Sequence, residues 1–212
     1  MHASLNRASR EQVPQDRSVQ DRGVGFAQHV EAMTLARAQR GDMQAFAILY
    51  QTFGRSCFNL ALRMLGERQQ AEDLVQEVFL KMMDTIGSYR GDAPFGAWLK
   101  RLAANACIDQ LRRQRHGGEE DPEALFAHLA CDGPDAASRV DAWSLLARLP
   151  ARARAVLVLH EFEGYTHTEL AALFGQSESY SKSILARAIG RLNALVAPPS
   201  SPTQASSCPP KN

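Results

Sequence analysis

The residues of this 212-residue chain most able to do chemistry fall into three groups. His116, His128 and Cys131 are of metal-ligating type, and His128 and Cys131 are three apart, close enough to share a helix face. A zinc enzyme would need a fourth ligand and a general base beside these three, and neither is evident. No phosphate-cradling glycine loop or nucleophile elbow occurs. The expectation is therefore no metal, no cofactor and no catalysis. The second group is a run of charge. Six basic residues (Arg90, Lys100, Arg101, Arg112, Arg113, Arg115) against two acidic ones lie between Tyr89 and His116, followed by six acidic residues and no Lys or Arg between Gly117 and Ser138. A basic block beside an acidic one suggests a polyanion-binding unit next to a segment that avoids polyanions.

The third group lies near the C-terminus. Thr166-His167-Thr168-Glu169 has the capping-box spacing, in which the Thr oxygen and the Glu carboxylate satisfy free N–H groups of a first helical turn. The helix it opens runs through Leu170, Ala171, Leu173 and Phe174 and stops at Gly175, and Ser177 is placed to cap the next one. Ile184, Leu185, Ala188, Leu192 and Leu195 would then face inward. Ala171, Gly175 and Ile184 have the spacing of a helix-turn-helix, where a small residue lets two helices cross closely. The second helix presents Ser179, Tyr180, Lys182, Ser183, Ala186 and Arg187 outward. Lys and Arg donate to guanine O6 and N7, and Ser adapts to several base edges. Arg191 and the helix N-terminal N–H groups suit phosphates.

The elements that must position these groups read as helices throughout, because no period-2 alternation bounded by turn residues is found. Asp42 caps a helix with Phe46, Leu49, Tyr50, Phe53, Leu60 and Leu65 on its apolar side, ended by Gly66. A helix over Ala71–Ile86, ended by Gly87, buries Leu74, Val75, Val78, Phe79, Met82 and Ile86 and turns Asp73, Gln76, Glu77 and Lys81 the other way. After a loop, Ser88–Ala93, Pro94 takes a first helical position. The helix from Phe95 to about Arg115 buries Phe95, Leu99, Leu102, Ala106 and Leu111. The fold class is all-α, with two small helical domains on a flexible acidic linker. The divisions are 1–30 (an extension without periodicity, expected disordered), 31–116, the linker 117–138 with a short helix at Ala124–Ala130, 139–196, and a Pro- and Ser-rich tail over 197–212.

Apolar residues make up 45% of the chain, enough for cores, and no apolar run reaches a membrane span. The polar N-terminus lacks a secretory pattern, so the expected address is cytoplasmic. Cys57, Cys107, Cys131 and Cys208 are scattered, which argues against a disulfide framework or zinc ribbon; Cys57 and Cys107 fall in apolar helical patterns and read as buried small hydrophobes.

Together these residues resemble the extracytoplasmic-function subfamily of bacterial RNA polymerase sigma factors. The resemblance covers about Met33 to Leu195 and rests on strings in a fixed order. They are Gly41-Asp42, Ala45-Phe46, Leu49-Tyr50, Ala71-Glu72-Asp73-Leu74-Val75-Gln76-Glu77-Val78-Phe79, Phe95-Gly96-Ala97-Trp98-Leu99, Asn105, Ile108-Asp109-Gln110-Leu111-Arg112-Arg113, Leu149-Pro150, Lys182-Ser183 and Ala186-Arg187-Ala188. The resemblance implies a factor that lends promoter recognition to core RNA polymerase. Asp73, Gln76 and Glu77 match the residues that dock on the β′ clamp helices. Tyr89, Arg90, Asp92, Ala93, Phe95, Trp98 and Asn105 match those that hold the −10 element as a single strand. There a flipped base is read by its edge and by stacking worth ~1–3 kcal/mol. Phe95 and Trp98, three apart on one helix face, also read as core aromatics, with the loop doing the reading. Lys182, Ser183, Ala186 and Arg187 match contacts to the −35 duplex.

The family further implies an anti-sigma protein as partner and a linker that lies in the nucleic-acid channel. The chain departs from the pattern at Tyr180-Ser181, where Thr-Val is usual, and at Ile184, where Arg commonly follows Lys-Ser. Ser181 thus falls at a usually apolar, inward position. A stand-alone helix-turn-helix regulator is the rival reading, and it would bind its operator without polymerase.

Overall fold

In a computed structural model of the chain, residues 25–114, 126 and 142–196 are described. Among them the secondary structure is helical and no strand occurs. The helices are α1 (Ala32–Gln39), α2 (Met43–Leu65), α3 (Arg68–Thr85), α4 (Phe95–Arg113), α5 (Ala142–Ala147), α6 (Ala151–Leu157), α7 (His167–Phe174) and α8 (Glu178–Val196). A 3₁₀ turn, Ile86–Ser88, follows α3, and α6 widens into a π turn over Val158–Phe162.

Local chemistry sets these boundaries. Asp42 accepts hydrogen bonds from the N–H groups of Gln44 (2.9 Å) and Ala45 (3.4 Å), capping α2. The Arg37 side chain, 2.7 Å away, together with these bonds, holds the Asp42 carboxyl below its ordinary range. At the other end Gly66 takes a left-handed φ of 80°, which a Cβ would oppose. The end of α3 differs from expectation: the α-helix stops at Thr85 and Gly87 sits inside the 3₁₀ turn, because the Tyr89 N–H bonds to Ile86 O three residues back. Pro94 (ψ 139°) lies just outside α4 as its cap residue, one position earlier than the sequence suggested.

The core of the N-terminal unit is formed by α2, α3 and α4. Phe53, Leu49, Leu60, Met64, Val78, Met82, Leu99 and Ile108 are fully buried. Each large apolar side chain so placed contributes about 1.5–3 kcal/mol relative to exposure. Cys57 and Cys107 are buried thiols, and burial pushes Cys57 up to about 12 and Cys107 higher still. Tyr50 does not join this core. It is about half exposed, its ring set edge-on to Phe79 at 4.8 Å.

Residues 25–30, assigned by the sequence to a structureless extension, include packed side chains. Phe26 and Val30 lie partly buried against the core, and Gln28 Nε2 donates to Thr52 O at 3.0 Å. The tails, the acidic run and the short linker helix expected at 124–130 lie outside the described residues apart from Phe126, which packs partly buried against the core. Cys131, Cys208, His116 and His128 are likewise outside them.

The C-terminal helices do not stand apart from the N-terminal ones. Leu146, Leu149, Ala153, Val156, Leu159, Leu170, Phe174 and Ile184 belong to the same continuous apolar cluster as the α2–α4 core.

Candidate nucleic-acid and polymerase interface

On α3, Asp73, Gln76 and Glu77 are exposed, on the face away from Leu74, Val75 and Val78. Gln69 Nε2 donates to Asp73 at 3.0 Å, and Arg113 of α4 pairs with Glu77 at 3.1 Å, both at the surface. Leu80 lies on the same stripe, 64% exposed, at spacings of seven, four and three from the other members. Sequence reading assigned Lys81 to this face and missed Leu80. A large apolar residue on an otherwise polar outer stripe was the available signal. An exposed leucine ringed by acceptors and an amide is the composition of a small protein-docking surface.

The loop between α3 and α4 is held from two sides. Gln39 of α1 donates to Tyr89 O (2.9 Å) and Ile86 O (3.3 Å), and the Tyr89 hydroxyl donates to Ala93 O (2.7 Å). Arg90, Asp92 and Ala93 are exposed on it. Tyr89, Phe95 and Trp98 form a ring cluster with centroids 5.4–5.7 Å apart, anchored by Phe53 at 5.7 Å from Phe95. Phe95 is 4% exposed and packs as core, whereas Tyr89 and Trp98 remain partly accessible. Trp98 and Asn105, seven apart and so on one face of α4, line a cleft of about 740 Å³ together with Lys100, Arg101 and Arg112. Of the expected residues, Ala93, Trp98 and Asn105 share the cleft and Tyr89 and Phe95 join Trp98 in the ring cluster, Phe95 behind its surface, while Arg90 and Asp92 lie exposed on the loop without joining either.

The opposite wall of that cleft belongs to the C-terminal unit: Glu163, Gly164, Tyr165, Glu169, Ala172 and Leu173. Lys100 Nζ donates to Glu163 O (2.8 Å), lies 3.7 Å from its carboxylate, and faces the Tyr165 ring at 5.4 Å. Burial, reinforced by the charges of Glu163 and Glu169, pushes the Tyr165 hydroxyl up to about 12. Arg112 Nη2 donates to Leu173 O at 2.8 Å.

The helix-turn-helix is α7, a turn at Gly175 (φ 63°), and α8. The capping box is formed: Glu169 N–H donates to Thr166 Oγ1 (3.2 Å) and Thr166 N–H to Glu169 Oε2 (2.8 Å). The bond from the Thr166 backbone is the main cause holding the Glu169 carboxyl below its ordinary range. Ser177 Oγ accepts from Tyr180 N–H (3.1 Å), the cap expected for α8. Ile184 and Ala188 are fully buried, and Leu185 and Leu195 nearly so.

Outward on α8 are Ser179, Lys182 and Ala186, with Ser183 and Arg187 partly so. Arg187 donates to Ser183 Oγ (3.0 Å), and Lys182 reaches Glu178 (3.5 Å). Tyr180, expected outward, is buried instead: its ring lies 5.3 Å from the guanidinium of Arg152, which also faces Phe174. Ser181 is inward, 2% exposed, as its position implied. Its hydroxyl donates to Glu178 O (2.9 Å) and accepts from His167 Nδ1 (2.9 Å), so the buried oxygen is satisfied. His167 stacks on His160 at 4.4 Å. Desolvation first, and the neighbouring His160 second, hold His167 below its ordinary value.

Two family models match the chain, Sigma-70 region 2 over residues 49–117 and Sigma-70 region 4 over residues 139–192. The chain is 31% identical over 176 residues to the ECF RNA polymerase sigma factor SigM of Mycobacterium tuberculosis, covering 82% of this chain and 89% of that one. It is 30% identical over 178 residues to the RNA polymerase sigma factor NccH of Alcaligenes xylosoxydans xylosoxydans, covering 79% and 95%. Among solved structures it is similar to CnrH in complex with the cytosolic domain of CnrY (30% identity, 77% and 95% covered, TM-score 0.47). Given these matches over both helical units, the chain belongs to the extracytoplasmic-function sigma factors, transcription initiation factors rather than enzymes.

Proposed function

We propose that this factor docks on core RNA polymerase through Asp73, Gln76, Glu77 and Leu80, reads the −10 element as a single strand and reads the −35 element as duplex. The −10 residues are Tyr89, Arg90, Asp92, Ala93, Trp98 and Asn105, with Phe95 buttressing the ring cluster from below. The −35 residues are Lys182, Ser183, Ala186 and Arg187 on α8. The observation that carries the reading is the pairing, in one chain, of a helix-turn-helix with an aromatic, basic-flanked loop and cleft. The first suits a major groove and the second unstacked bases. Holding both on one polymerase makes the second DNA contact intramolecular, so two modest interfaces act jointly.

The factor works where the polymerase does, in the cytoplasm; no described helix is long and apolar enough to cross a membrane. An anti-sigma protein covering these faces is the regulatory partner that family membership implies. The test is transcription in vitro on genomic fragments with core polymerase and purified factor, mapping start sites. Defined starts that appear only with the factor are expected. Start sites identical with and without it would overturn the proposal.

A further inference from the structure

The two helices of the helix-turn-helix meet at their first turns through polar side chains, and Ser181 stands there at a position that the family pattern keeps apolar. Resting on the −35 assignment above, we infer that this contact is a latch. His167 and Thr168 of α7, acting through Ser181 and Glu178 of α8, are positioning residues that aim Lys182 at its base pair.

The latch has two arms. The inner one begins at His160 in the π turn, whose Nδ1 lies 2.7 Å from Tyr165 O. A carbonyl only accepts, so the ring donates there and its plane is fixed. His167 stacks on that ring, centroids 4.4 Å apart, and its Nδ1 meets Ser181 Oγ at 2.9 Å. The Ser181 hydroxyl in turn donates to Glu178 O at 2.9 Å. One oxygen, on a residue only 2% exposed, thus joins the first turns of both helices. An apolar side chain there would pack without preferred direction, whereas hydrogen bonds weaken steeply off line and so fix how α8 is turned against α7.

The outer arm lies at the surface. Thr168 Oγ1 donates to Glu178 Oε1 at 2.7 Å, and the other oxygen, Oε2, faces Lys182 Nζ at 3.5 Å, one helical turn on. The bond from Thr168 is the main cause holding the Glu178 carboxyl below its ordinary range, so it stands charged opposite the ammonium. A lysine head on a flexible four-carbon stem is therefore placed from the neighbouring helix and not by its own rotamers alone. Arg187 lies outside the latch and is tied within α8, to Ser183 at 3.0 Å. Loss of the latch should blur the base pair that Lys182 reads and spare the one that Arg187 reads.

Selection from random duplexes by holoenzyme, assembled from core polymerase and the full-length factor, tests this. Lys182→Ala and Arg187→Ala each mark, in the wild-type motif, the pair whose preference they remove. Thr168→Val and, separately, Ser181→Ala should lower the preference at the Lys182 pair about ten-fold, the scale of one base contact. Preference at the Arg187 pair and affinity for mixed-sequence duplex should stay as in the wild type. Thr168→Ser, which keeps the hydroxyl, should retain the full preference. Thr168 is exposed, so its variant remains informative if Ser181→Ala does not fold. Unchanged preference at the Lys182 pair in both latch variants overturns the inference. So does an equal loss at both pairs, the mark of a merely structural role. A wild-type motif that neither Lys182→Ala nor Arg187→Ala alters defeats the −35 assignment itself, and the latch with it.

Discussion

Gly96 offers the sharpest test of how the N-terminal segment packs. It is the second residue of α4, and the Phe26 backbone lies directly against it. A Cβ built there would collide with the Phe26 carbonyl oxygen, lie 2.8 Å from its carbon and press on Phe53 Cε1 at 3.1 Å. The obstacle is main chain, so no rotamer change relieves it. In Gly96→Ala the segment 25–30 must lift away. That exposes the half-buried Phe26 and Val30, roughly 1–2 kcal/mol together at partial burial. It also breaks the Gln28–Thr52 bond, worth about 1 kcal/mol. Against this stands the gain of Ala over Gly in a helix, about 1 kcal/mol. The balance is a net loss of about 1–2 kcal/mol.

The sign should reverse in a chain lacking residues 1–30. With the carbonyl gone, Gly96→Ala keeps the helix gain, trimmed by the adjustment of Phe53, for a net of up to about +1 kcal/mol. Urea unfolding followed by far-UV circular dichroism, with slopes compared for each pair, measures both. A full-length Gly96→Ala protein as stable as its parent, or more so, would refute the reasoning, because the segment would then not be seated on α4.

Asp73→Lys with Glu77→Lys should cut retention on immobilised core polymerase at least ten-fold while leaving helicity unchanged; undiminished retention sinks the docking assignment. Thr166→Ala removes the acceptor for Glu169 N–H and should cost about 1 kcal/mol in urea unfolding. His167 binds a proton less readily folded than its ordinary 6.5. The unfolded chain therefore protonates first, and stability should fall as pH drops below that value, a slope that His167→Gln should flatten in thermal melts. Arg187→Ala should weaken holoenzyme binding to duplex −35 DNA by about ten-fold or more, at the scale of one base contact; equal binding in a filter assay would remove Arg187 from the reading surface.

Much of the architecture is written in local chemistry. Asp42, Gly66, Thr166–Glu169, Gly175 and Ser177 mark helix ends in the primary structure, because a cap is satisfied by residues within four positions of one another. The three- and four-residue spacing of Leu74, Val75, Val78, Phe79 and Met82 likewise decides which side of α3 is buried, leaving Asp73, Gln76 and Glu77 outside. Tyr180 was misjudged because its side depends on Arg152, 28 positions earlier, offering a cation to its ring. The need for glycine at 96 was invisible for the same kind of reason, since the Phe26 carbonyl that demands it comes from 70 residues upstream. Only the tertiary structure decided that Lys100, Arg112 and Arg154 spend their donors across the two units. Helix caps and amphipathic periods are short-range, whereas the partner of a long cationic side chain is chosen by whichever carbonyls and carboxylates the packed helices bring within its reach.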